Sequence, residues 1–144
     1  MKVDFYQLSR DPAEQVVPLL ARNTLALGQR LLVVSQDAAQ LGRIGDSLWA
    51  REGTFLANGQ AGGEHDARQP VLLSGATEAA NGARYVVLAD GRWRPEVEAF
   101  ERVFLLFDGS TIDDARGTWR SLDGREGLER AFWRQEGAKW IKAA

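Results

Sequence analysis

VFLLFDGSTIDDARGTWRSL, residues 103–122, decides how the chain is read. It opens on five consecutive apolar residues (Val103, Phe104, Leu105, Leu106, Phe107), and an unbroken apolar run of that length predicts a strand buried on both faces. Asp108-Gly109-Ser110-Thr111 follows as a turn and helix N-cap, with Asp113 and Asp114 in the first helical turn, where the helix dipole favours negative charge. The helix then carries Arg116, Trp119 and Arg120, whose i, i+3 and i+4 spacing puts them on one face. Two guanidiniums around an indole suit an acidic, aromatic-containing peptide. The competing reading is a solvated helix with one Trp tucked inward.

Working outward, strand and helix patterns alternate. Residues 3–7 and 30–35 read as strands, and between them Ser9 or Asp11 is expected to cap a helix with Pro12 in its first turn, ending at Gly28. Pro18 lies inside that pattern, so the helix either begins later or is kinked there. Gln36-Asp37 opens a second helix with an apolar stripe of Leu41, Ile44, Leu48 and Trp49. Residues 54–56 read as a brief extended piece, and 57–69, rich in glycine and polar residues, as a mobile loop. Residues 71–74 and 85–89 are further strands, 76–83 a turn or short helix, Asp90-Gly91 a turn, and 95–100 a helical turn. Two extended segments, 128–135 and 138–142, flank Glu136-Gly137 as a C-terminal hairpin. Strands alternating with helices predict an α/β fold, a mainly parallel sheet covered on both faces, with a crevice at the carboxyl ends of the strands. The chain, residues 1–144, is expected to form one domain.

Composition narrows the chemistry. A net charge of −2 lacks the basic footprint of a sequence-independent nucleic-acid binder. There is no cysteine, hence no disulfide, zinc-thiolate or thiol chemistry. The amino terminus, MKVDFYQLSRD, resembles neither a signal peptide nor a membrane anchor, so a cytoplasmic protein is expected. No GK[ST] triplet occurs, and the first strand runs into LSRDPAE rather than a G-x-G-x-x-G turn, so nucleotide binding has no support. His65, the one histidine, sits between Glu64 and Asp66 on the glycine-rich loop, a poorly held place for acid-base or metal chemistry. Asp108, Asp113 and Asp114 could be read as a magnesium site for phosphoryl transfer, although capping accounts for them with less. A third reading is direct single-stranded DNA binding through Phe132, Trp133 and Trp140 with Arg130, Arg134, Lys139 and Lys142. A hairpin packed on the sheet explains the same aromatics.

Segments spanning nearly the whole chain carry a resemblance. DFYQLSRDPAEQVVPLLARNTLALGQRLLVVSQD, IGDSLWAREGTFLANG, ARQPVLLS, ERVFLLFDG, DDARGTWRSL and FWRQEGAKWIKAA match, in order, the pattern of the chi subunit of bacterial DNA polymerase III. The resemblance implies a Rossmann-like α/β/α fold without a phosphate loop, no cofactor and no metal. It implies a non-catalytic adaptor between the clamp loader and single-stranded-DNA-binding protein, which touches nucleic acid only indirectly. By position, Arg116, Trp119 and Arg120 would hold the partner's acidic, phenylalanine-ending tail, the arginines meeting carboxylates and the indole walling a pocket for the terminal ring. Leu48, Trp49 and Phe55 would form a second interface, for the psi subunit or another clamp-loader subunit. The basic position one turn before the Ala-Arg pair reads Ile112 or Asp113 here, which would transfer part of the electrostatics to Arg102, Arg134 or Lys139. A monomer is expected.

Overall fold

A computed structural model describes residues 1–50 and 56–144. The strands β1 (Lys2–Gln7), β2 (Leu31–Val34), β3 (Asn58–Gln60), β4 (Val71–Ser74), β5 (Tyr85–Leu88), β6 (Arg102–Phe107), β7 (Glu129–Glu136) and β8 (Lys139–Lys142) form one sheet in the order β3-β4-β2-β5-β6-β1-β7-β8. Every pairing is parallel except β7 with β8. The helices are α1 (Ala13–Ala26), α2 (Ala38–Ala50) and α3 (Ile112–Ser121).

Strand alternation sorts the core into two layers. Leu31, Val33, Val71, Leu73, Val87, Phe104 and Leu106 face α1 and α2, which contribute Val16, Val17, Leu20, Leu41, Ile44 and Leu48. Val3, Phe5, Leu32, Val34, Leu72, Val86, Leu88, Val103, Leu105 and Phe107 face α3 and the short 3-10 turn at Pro95–Ala99. The apolar run at the start of residues 103–122 is therefore a central strand buried on both sides, as its composition requires.

Local chemistry departs from the expected boundaries in several places. The residue capping α1 is Pro12 itself, with no side-chain cap; Asp11 instead exchanges hydrogen bonds with Gln135 of β7 (Asp11 N to Oε1, 3.3 Å; Nε2 to Asp11 Oδ2, 2.6 Å). Pro18 sits within α1 rather than delaying it, and the helix closes at Gly28 with a positive φ of 75°. Asp37 caps α2 as expected, its Oδ1 accepting from Ala39 N at 3.0 Å and Gln40 N at 3.2 Å. Trp49 lies off the buried stripe, 41% exposed.

The segment expected as a mobile loop is built: β3 pairs with β4, and Asp66 accepts from the amides of Gly62 (2.9 Å) and Gly63 (3.1 Å) before a 3-10 turn at Asp66–Arg68. Three residues, one of them glycine, leave too short a pattern for a period-two signal. The extended piece expected at 54–56 falls mostly outside the described residues. Residues 76–83 form turns without a helix, held by buried Asn81, whose side-chain amide donates to Leu31 O (3.2 Å) and Gln69 O (3.0 Å). The hairpin β7–β8 forms as read, turning at Gly137 with φ 59°. No helix among the described residues is long and apolar enough to cross a membrane.

Candidate functional site at the α3–β7 face

The β6–β1 boundary is where the connections diverge: α1 leaves β1 over one face and α3 leaves β6 over the other. The expected crevice lies there, a cavity of about 540 Å3 lined by Ser9, Asp11, Glu14, Asp90, Asp108 and their neighbours. Its acidic groups already have partners within or beside the cavity. Glu14 pairs with Arg43 at 3.1 Å, Asp90 with Arg94 at 2.8 Å, and Asp11 with Gln135. Asp108 closes the α3 entry turn, its Oδ1 accepting from Ser110 N (2.9 Å) and Ser110 Oγ (2.6 Å), while Asp108 N donates to Thr111 Oγ1 (3.0 Å). Burial raises the Asp108 carboxyl, but the Ser110 hydroxyl bond, the largest influence, leaves it below the ordinary range. Asp113 points into solvent, and among the described residues no three His, Cys, Asp or Glu side chains gather as a metal would need. His65 is exposed, 4.0 Å from Glu64.

The other arrangement stands on α3 and the strand that follows it. Trp119, in the last turn of α3, meets Phe5 of β1 edge-on (centroids 5.2 Å, 80°) and Phe132 of β7 at 6.0 Å and 90°. Phe132 continues to Phe107 at 5.5 Å. The indole is thus seated on an aromatic floor drawn from three strands and is half-buried. Arg116 and Arg120 flank it along the helix and are exposed; Arg116 reaches Asp113 at only 3.9 Å. From β7, the Arg130 guanidinium lies 4.0 Å from the Trp119 ring centroid, donates to the Trp119 carbonyl, and pairs with Asp123 at 2.7 Å. Arg130 entered the sequence reading only as a possible nucleic-acid contact; its stacking on Trp119 depends on the β1–β7 register, which a sequence does not display.

Register also sorts the remaining candidates. Phe5 pairs with Phe132 and Tyr6 with Trp133, so the even residues of β7 (Arg130, Phe132, Arg134) share the α3 side. Glu136 pairs with Lys139 and Arg134 with Ile141, which puts Lys139 on that side too. Arg134 and Lys139 therefore lie on the α3 side, with Arg134 paired to Glu136 at 3.0 Å. Arg102 does not: it faces the α1 side and is bound to Asp4. Ile112 packs into the core and Asp113 is solvated.

Trp133 and Trp140 belong to the α1 side, where Trp133 stacks with Tyr6 (6.1 Å, 11°) and Trp140 meets Tyr6 edge-on (5.1 Å, 84°). Phe132 and the two tryptophans hence occupy opposite faces of the hairpin and do not form one stacking platform. Of the second interface, Leu48 is fully buried in the core and cannot touch a partner, Trp49 is exposed, and Phe55 lies outside the described residues.

No curated protein matches the chain. The family model described as DNA polymerase III chi subunit, HolC, matches residues 1–140 of the 144, and the chain belongs to that family of DNA polymerase III accessory subunits.

Proposed function

We propose that this protein is a non-catalytic replication adaptor that joins the clamp loader to single-stranded-DNA-binding protein by holding its acidic C-terminal tail at the α3–β7 face. The observation that carries the reading is the seating of Trp119 on Phe5 and Phe132 with exposed Arg116 and Arg120 on either side of it along α3. Planar guanidiniums donate paired hydrogen bonds to carboxylates, and the half-buried rings of Trp119 and Phe132 offer apolar contact to a terminal phenylalanine. Exposed ion pairs are individually weak and screened by salt, so affinity per tail is modest and a partner with several tails gains by avidity. The exposed Trp49 gives α2 a separate contact for psi or another clamp-loader subunit. The protein works as a cytoplasmic monomer and meets nucleic acid through its partners.

The test is titration of a fluorescent acidic peptide ending in Pro-Phe into the wild type, Arg116→Ala and Arg120→Ala, at low and moderate salt. Each substitution is expected to weaken binding about three- to tenfold, the scale of one charged contact, with a shallower salt dependence. Unchanged affinity in both folded variants would place the tail elsewhere.

A further inference from the structure

Arg130 ties two elements together through three separate contacts. Its guanidinium covers the Trp119 ring at 4.0 Å, one Nη donates to the Trp119 carbonyl, and the other Nη reaches Asp123 at 2.7 Å just beyond the helix. The carbonyls of the last helical turn have no partner within the helix, and a cation there also suits the negative end of the dipole. Arg130 therefore caps α3 from the neighbouring strand. Its side chain is 22% exposed, against 62% for Arg116, and only a planar cation can stack on an indole and serve two acceptors at once.

We propose, resting on the tail-binding reading above, that Arg130 is a positioning residue for the aromatic part of the site. It fixes the rotamer of Trp119 and the height of α3 over β7, so that recognition of the terminal phenylalanine depends on Arg130 while attraction of the tail's carboxylates depends on Arg116 and Arg120. A guanidinium already spread over the indole and paired with Asp123 acts through Trp119 rather than as one more surface cation. Loss of the stack leaves the Trp119 side chain free to turn, and a contact that needs a fixed ring is lost with it.

The experiment measures two peptides, one ending in Pro-Phe and one ending in Pro-Ala, against wild type, Arg130→Ala, Arg130→Lys, Asp123→Asn and Arg116→Ala, each checked by circular dichroism and thermal melting. Wild type is expected to prefer the phenylalanine peptide. In Arg130→Ala and Arg130→Lys that preference should fall about fivefold, the scale of a cation–π contact, with Asp123→Asn between them and wild type. Arg116→Ala should weaken both peptides alike and leave the preference intact. An unchanged preference in Arg130→Lys would mean that charge alone suffices and would overturn the positioning role. So would an unchanged preference in Asp123→Asn if Arg130→Ala fails to fold. Failure of the wild type to bind either peptide would instead overturn the tail reading and this inference with it.

Discussion

Asp4, in the middle of β1 and wholly screened from solvent, places its Oδ2 2.9 Å from the Arg102 Nε of the adjoining strand β6. On the other side its Oδ1 accepts from Trp133 Nε1 of β7 at 3.0 Å. One carboxylate thus bridges three neighbouring strands, and Arg102 in turn lies 4.9 Å from the Phe104 ring centroid. A buried charge is tolerated only with such partners, and removing one member strands the others. Asp4→Ala is expected to cost about 3 kcal/mol in urea denaturation, and Asp4→Asn less because the amide oxygen can still accept from Trp133. A loss below ~0.5 kcal/mol in Asp4→Ala would mean that the bridge is not maintained in solution.

Tyr6 stacks beside this bridge, and its phenol is pushed up to about 12, first by burial and then by the Asp4 charge, with Arg102 opposing. The sign of the consequence follows from linkage. Below pH 10.0, the ordinary tyrosine value, both folded and unfolded chains hold the proton. Above it the unfolded chain ionises first, and stability falls until the folded phenol also titrates near 12. Wild type should therefore lose stability relative to Tyr6→Phe across that alkaline window, with no difference in slope at neutral pH. Parallel curves in denaturant titrations over the window would contradict the burial of the phenol.

Asp90 holds the far end of β5 to the start of α2. Its carboxylate accepts from Gln36 N at 2.9 Å, Arg92 N at 3.2 Å, and both Nη atoms of Arg94 at 3.0 and 2.8 Å. Burial pushes the carboxyl up, but the hydrogen bonds from Arg94 and Gln36 and the Arg94 charge outweigh it and hold it below the ordinary range. Its contribution is present above the ordinary carboxylate value and disappears as pH falls through the folded value. Asp90→Asn should be less stable than wild type by roughly 2 kcal/mol at neutral pH, the two converging in acid. A constant gap across the acid range would contradict the charge-based account.

Much of this architecture is legible from local pattern because it rests on local physics. The five apolar residues of β6 can satisfy burial only between two layers, and Gly137 marks a turn that other residues enter at a cost. What escapes the sequence is fixed by distant partners. Asp11 looks like a cap but bonds Gln135, 124 residues away, and β3 is short enough to exist only because β4 offers it an edge. The site divides the same way. Arg116, Trp119 and Arg120 are readable from helical spacing, whereas the assignment of Phe132 to one face and Trp133 to the other follows from pairing with Phe5 and Tyr6. Arg130 and its stack on Trp119 become visible only with that register in hand.

The most direct measurement is amide chemical-shift mapping of the protein as the acidic, phenylalanine-ending peptide is added. The account predicts that the largest changes fall on residues 116–123 of α3 and its exit, and on 130–134 of β7, with the Trp119 indole N–H among them. Changes centred instead on the end of α2 around Trp49, or on the crevice at Asp11, Asp90 and Asp108, would contradict it and move the tail to another face of the sheet.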